Sequence, residues 1–276
     1  MEIKMISWFN EHWYKVILLE EGKEVIRWIP SVTTKLGIVS QPFLAKWRGD
    51  IGNREADYRM REAQDKGSRI HHAWYTYTQK GTVLFNPFDK PLYSKEELDK
   101  IEKDSKNVSV LDDQEEMLAI WKLDKFVKIV KPTIERSEDI VYSLKNNDAG
   151  TLDNVFLINK GEYPVNGSKP LKIEAGRYIV DLKTGNQVGE SAFRQVAAYA
   201  KCHEEMGLGT IDGTIILHTN SKNKSGIEGF STILRTKDQV EEDYKAYRLA
   251  ASLWEIENKN ASPKIFDLPS LIKMEV

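Results

Sequence analysis

Apolar and polar positions change their period along the chain, and the changes mark out elements. In HWYKVILLEEGKEVIRWIPSV, β-branched and aromatic residues lie on both sides of a turn-like EEGKE. This predicts two short strands joined by a tight turn. SVTTKL then starts a helix, with Ser31, Thr33 or Thr34 as its N-cap. Residues 43–80 are helix-rich. In GSRIHHAWYTYTQKG, Ile70, Ala73, Trp74 and Tyr77 recur at i, i+3, i+4 and i+7 and make one apolar face. Gly81 ends that helix. Residues 82–113, with Pro87, Pro91 and a Lys/Glu/Asp run, read as a polar insertion. EEMLAIWKLDKFVKIVKP is a further helix, closed by Pro132.

The second half follows a strand period first. EDIVYSL is a strand, and AGTLDNVFLI is a second with Thr151, Asp153, Val155 and Leu157 on one face. A long connection over 160–177, either a substrate loop or a plain insertion, leads to the strand RYIVDLKTG. ESAFRQVAAYAKCHEEMG is a helix, GTIILHT a strand, and DQVEEDYKAYRLAASLWEIEN a final helix. Three strands, a helix, a strand and a helix predict an α/β core. We expect a hairpin and helical arm over 1–132 and a core over 133–276, built as one compact unit.

Composition narrows the class. A chain of 276 residues with 41% hydrophobic and 30% charged residues matches an ordinary globular protein. No apolar run approaches the ~20 residues of a membrane helix, and the N-terminus lacks a signal-peptide pattern. The single cysteine, Cys202, excludes a disulfide framework or a four-cysteine metal site within the chain. A reducing, cytoplasmic setting is expected. The net charge of −2 argues against coating nucleic acid by bulk charge, but a local basic groove remains compatible with it. From Lys46 to Arg69 there are seven Lys/Arg against five Asp/Glu, and Trp47, Tyr58, Trp74 and Tyr75 lie in or just beyond this stretch. Aromatics beside basic side chains suit stacking on unpaired bases; packing between helices is the plainer account, above all for Trp74.

The chemistry starts at IVDLKTGN, residues 179–186. A buried strand seldom carries charge unless the charge is paired or metal-bound. Asp181 and Lys183 point to one face of the strand, and Asp153 lies in the preceding strand, expected to be adjacent and antiparallel. Two carboxylates on neighbouring strands can share a hard divalent cation, and a lysine beside them can stabilise developing negative charge. That set serves metal-assisted phosphodiester hydrolysis. The tripeptide alone is weak, since DSK, EGK and ENK also occur in the chain. Taken by itself, DLK is better explained by an exposed ion pair worth ~0–1 kcal/mol. No phosphate-binding G-x-x-x-x-G-K-[ST] loop occurs, so no nucleotide cofactor is expected.

The order of motifs adds to this. GSRIH, SEDIVYS, AGTLD, IVDLKTG and RQVAAYA follow one another, and the series resembles the PD-(D/E)xK nuclease superfamily in its RecB-type exonuclease branch. IPSVTTKL is similar to a segment of mitochondrial genome maintenance exonucleases and related phage nucleases. The resemblance implies a restriction-endonuclease-like core. It implies Mg²⁺ or Mn²⁺ held by Asp153, Asp181, the Leu182 carbonyl and His71, with Glu138 as a further acid and Glu135 as its competitor. It implies Lys183, Gln195 and Tyr199 as catalytic partners. The expected nucleic-acid contacts are Ser31, Thr33, Arg59, Arg69 and Arg194. Of the adjacent His71 and His72, only one can face the site, because they lie ~100° apart on a helix. The expected activity is DNA exonuclease action on single-stranded or frayed DNA, leaving a 5′-phosphate, in recombination, replication or repair, with a protein partner of such a process possible. The alternative is a catalytically weak nucleic-acid-binding or recruitment subunit on the same fold.

Overall fold

The structure is a computed structural model that describes residues 2–8, 11–105 and 107–263. Strands β1 (Glu2–Trp8), β2 (Glu11–Glu20) and β3 (Lys23–Pro30) form an antiparallel sheet in that order. The turn between β2 and β3 is the predicted one. Glu21 (φ 51°) and Gly22 (φ 78°) are both left-handed, the conformation that suits a two-residue hairpin. Strand β1, which the sequence reading missed, adds an edge to this pair.

Ser31 caps the short helix α1 (Val32–Leu36), its hydroxyl accepting the Thr34 amide at 2.9 Å. Helices α2 (Pro42–Ile51) and α3 (Asn53–Thr78) follow, and α3 buries Ile70, Ala73 and Trp74 as its period predicts. Residues 82–113 are more ordered than their composition predicts. Strands β4 (Thr82–Phe85) and β5 (Val108–Leu111) pair in parallel around α4 (Lys95–Asp104). That polar helix starts at a capping box of Ser94 and Glu97. Helix α5 (Gln114–Val130) ends at Lys131, which is left-handed (φ 51°).

Strands β6 (Thr133–Ser143) and β7 (Asp148–Ile158) form a long antiparallel pair. The 160–177 connection is a small hairpin, β8 (Gly161–Tyr163) with β9 (Leu171–Ile173), and Val165 and Ile173 are buried in the core. It packs as structure, which favours the plain insertion. Strand β10 (Gly176–Lys183), helix α6 (Glu190–Glu205), strands β11 (Gly213–His218) and β12 (Ser231–Thr236), and helix α7 (Lys237–Glu257) complete the chain. The sequence reading passed over β12.

The central sheet has the order β12-β11-β10-β7-β6. Only β10 and β11 run parallel, and α6 is the crossover that a parallel pair requires. The fold is thus mixed α/β, a central mixed sheet flanked by helices. On one face, Ile70 and Trp74 of α3 and Leu123 and Phe126 of α5 pack on Phe156, Val180 and Leu182. On the other, Val196 of α6 and Tyr247 of α7 cover Leu152, Val155 and Ile179. The first of these clusters joins residues before and after position 132 in one continuous core.

The N-terminal sheet sits on the β6–β7 hairpin. Tyr14, Val16 and Ile29 pack with Ala149, and the Tyr14 hydroxyl lies 2.9 Å from that of Thr151. Beside this contact is a buried charge network. Lys35, fully buried, meets Asp148 at 2.7 Å and Glu255 at 2.6 Å. Tyr247 donates to Asp148 at 2.7 Å, and Arg248 reaches its other oxygen at 3.1 Å. Four charges and a phenol thereby tie α1 and α7 to the start of β7.

Candidate metal centre

The site lies where two strands part. Strands β7 and β10 pair in register from Ile158–Gly176 to Asn154–Val180, and the ladder stops there. Asp153, the next residue on β7, accepts the Leu182 amide at 2.6 Å through Oδ2, and its Oδ1 is 3.5 Å from His71 Nδ1. From β10, Lys183 Nζ lies 2.8 Å from Asp181 Oδ2. Asp181 is 2% exposed, and the Lys183 ammonium beside it is the charged partner that its buried oxygen meets.

Glu138 stands opposite Asp153, between the Ser137–Asn154 and Asp139–Leu152 rungs. Its φ of 50° is left-handed, a conformation that costs a non-glycine residue ~1–3 kcal/mol and gathers at functional positions. One ligand atom each from His71, Glu138 and Asp153 lies within 4.8 Å of the others.

Helix α6 closes one side. Gln195 accepts from Lys183 Nζ at 3.3 Å and donates to the Tyr199 hydroxyl at 3.0 Å. The predicted i, i+4 pair therefore reaches the lysine as a chain. Tyr199 can lie this close to β7 because residue 150 is glycine: a Cβ there would stand 2.1 Å from the ring. Helix α3 closes the other side and passes near the end of β10 at Gly67, where a Cβ would meet Thr184 at 3.2 Å. Gly67, Ser68, His71, Tyr75, Glu138 and Thr184 help line an open cleft of ≈ 610 Å³.

The charges are strongly coupled. Burial acts against the charged His71 ring, but Asp153 and then Asp181 outweigh it and raise its pKa to about 9. Burial, reinforced by Asp153 and Asp181, raises Glu138 to about 7. Burial also raises Asp181, to about 6, against the pull of Lys183. Asp153 moves the other way: His71, Lys183 and the Leu182 amide overcome its burial and hold it below the usual range. In Lys183, burial is outweighed by Asp181 and Asp153, and the pKa rises.

The structure brings Asp153, Asp181, Lys183, His71, Glu138, Gln195 and Tyr199 together. It also separates the alternatives. His71 faces the acids, while His72 lies exposed in the cleft. Glu135 is held by Arg177 in a two-pronged pair at 2.6 and 3.1 Å, away from the trio.

The expected nucleic-acid contacts fare unevenly. Ser31 is buried, with its hydroxyl used by Thr33, Thr34 and the α1 cap. Thr33 is exposed beside it. Arg69 grips the fully buried Glu116 at 2.6 and 2.9 Å and so fastens α3 to α5. Arg59 is exposed and pairs with Glu55 at 2.7 Å. Arg194, half-buried on α6, acts on the Asp243 carboxylate. Trp74 is core, as the plainer account has it.

Sequence reasoning missed Gly150 and Asn154, whose roles depend on what packs against them. Asn154 accepts from Trp74 Nε1 at 2.5 Å and donates to Ser137 Oγ at 2.7 Å.

No family model matches the chain, and no curated protein does. Among solved structures it is similar to a crystal structure of a Eubacterium rectale protein provisionally named an exonuclease. The two share 12% identity at a TM-score of 0.38, over 78% of this chain and 76% of that one. No helix among the described residues is long and apolar enough to cross a membrane.

Proposed function

We propose that the chain is a divalent-metal-dependent deoxyribonuclease of the PD-(D/E)xK kind, acting as an exonuclease. One observation carries the reading: His71, Glu138 and Asp153 converge within 4.8 Å beside the Asp181–Lys183 pair. The donor set is oxygen-rich with a single imidazole, which suits Mg²⁺ and, with the nitrogen, Mn²⁺. The buried Asp181 carboxylate, beside the Lys183 ammonium, offers a further oxygen to a cation. Leu182 directs its N–H at Asp153. The carbonyl of the same residue points to the same strand edge, so it too faces the opening between β7 and β10.

Asp153, Asp181, Glu138, His71 and the Leu182 carbonyl would hold the ion. When bound, Mg²⁺ or Mn²⁺ polarises a phosphoryl oxygen and lowers the pKa of a coordinated water. The protein's own groups do the rest. Lys183, fixed between Asp181 and Gln195, presents positive charge where the phosphate becomes more negative. Gln195 and Tyr199 orient that ammonium. The products would be a 5′-phosphate and a 3′-hydroxyl.

The substrate end of the reading is single-stranded or frayed DNA in recombination, replication or repair. The open cleft carries Tyr75, and α3 presents the exposed Tyr58 further along, rings that can stack on unpaired bases. The test is digestion of 5′- and 3′-labelled single and double strands with Mg²⁺, Mn²⁺ or chelator, beside Asp181→Asn. We expect end-dependent, metal-dependent loss of label that the variant lacks. Binding without cleavage in both metals would instead favour a recruitment subunit. Equal cleavage of closed circles and linear strands would remove the exonuclease assignment.

A further inference from the structure

A chain of two hydrogen bonds, one buried and one partly buried, runs directly behind the candidate ligands. Trp74 Nε1 donates to Asn154 Oδ1 at 2.5 Å, and Asn154 Nδ2 donates to Ser137 Oγ at 2.7 Å. Asn154 and Trp74 are each 1% exposed. Each member of this chain neighbours one ligand. Trp74 follows His71 by one helical turn, Asn154 follows Asp153, and Ser137 precedes Glu138. Asn154 is also the rung shared by β6, β7 and β10, paired to Ser137 on one side and Val180 on the other.

We infer that Asn154 is a positioning residue for the metal centre, its carboxamide setting where α3 and β6 stand relative to β7. The inference rests on the reading of that centre as a metal site. The three ligands come from three separate elements, and nothing in the sheet ladder fixes a helix against a strand. A ligand set must be held to within roughly half an ångström. Apolar packing alone leaves a helix freer to slide than a short directed bond does. Trp74 already stacks on Tyr77, at 5.4 Å and 13°, and meets Phe156 edge-on at 6.4 Å. The amide adds direction: a planar group with an acceptor aimed at α3 and a donor aimed at β6. The bond to Trp74 is buried, so it is not readily exchanged for solvent, and the bond to Ser137 is partly buried.

The test is calorimetric titration of the full chain with Mn²⁺, together with thermal unfolding in chelator. The variants are Asn154→Leu, which keeps the branched shape but puts bulkier methyl groups in place of the amide, Trp74→Phe, which keeps a ring and drops the N–H, and Ser137→Ala. Asn154→Leu should weaken Mn²⁺ binding by about 10–100-fold, the usual cost of losing such a support. Trp74→Phe and Ser137→Ala should each weaken it less. The Asn154→Leu/Trp74→Phe double variant should bind no more weakly than Asn154→Leu, since the link is already cut. Wild-type Mn²⁺ affinity in Asn154→Leu with a lowered melting temperature would overturn the inference and return Asn154 to packing alone. If that variant fails to fold, Trp74→Phe decides: unchanged affinity there overturns it equally. A wild-type chain that binds no Mn²⁺ would instead fail the metal-site reading, a result separable from the other two.

Discussion

At Lys183 the local charge balance can be tested one group at a time. Lys183→Ala should slow cleavage by on the order of 10²-fold, while Mn²⁺ binding holds or tightens because a neighbouring positive charge is gone. Turnover near that of the wild type would reduce Lys183 to an ion-pair partner. The titrations around it make a second prediction. Glu138 at about 7, Asp181 at about 6 and His71 at about 9 all keep protons that the unfolded chain has released. A folded state that binds more protons loses stability as pH rises. The carboxyls act from about pH 4 to 7 and His71 from about 6.5 to 9. Asp153, held low, acts in reverse and loses its contribution only as pH falls below about 4. In chelator these groups should therefore lower the melting temperature as pH rises from about 4 to 9. Mg²⁺ should flatten the fall by taking the protons' place. Equal slopes with and without Mg²⁺ would count against the site. Asp153, Asp181, Lys183 and Gln195 were legible because strand and helix periods give them faces and the order of motifs, through the resemblance it carries, gives those faces a role. Glu138 was harder to separate from Glu135, since the choice depends on a left-handed residue that breaks strand alternation and carries no mark in sequence.

At the scale of elements, the spacing between α6 and β7 is set by an absent side chain. Gly150→Ala would drive a methyl into the Tyr199 ring. We expect a loss of ~1–3 kcal/mol, typical of overpacking, measured by denaturant unfolding. Because Tyr199 carries Gln195, and Gln195 meets Lys183, activity should fall further than the unfolded fraction explains. Activity that tracks stability alone would detach Tyr199 from the site. The long elements were readable for the reason that their periods repeat. Strands β4 and β5 have four residues each, too few for alternation to show, and α4 hides in a polar run because its stability comes from a cap. Strand β12 lies at the sheet edge, half-buried along most of its length, so its pattern of burial is faint. The 160–177 hairpin buries Val165 and Ile173, two apolar residues scattered among turn-formers.

Across the whole molecule, charge counts and charge availability differ. The basic stretch from Lys46 to Arg69 spends Arg48 on Asp57, Arg59 on Glu55, Lys66 on Glu115 and Arg69 on Glu116. Its formal excess is largely answered within the protein, which net charge alone could not reveal. Arg69→Ala should accordingly lower stability by about 1–3 kcal/mol, by stranding the buried Glu116, and leave the salt dependence of DNA binding unchanged. A shallower salt slope in that variant would restore Arg69 as a phosphate contact.

Cys202 offers a clock for motion in this architecture. It is the one cysteine in 276 residues, and its side chain is 1% exposed on α6. Burial, with Asp148 and Glu205 adding to it, pushes its thiol pKa well up. In the closed protein the sulfur is both shielded and protonated, so a disulfide reagent must wait for α6 to lift from the sheet. At high reagent the labelling rate becomes the opening rate of the helix that carries Gln195 and Tyr199, read without mutation or added fluorophore.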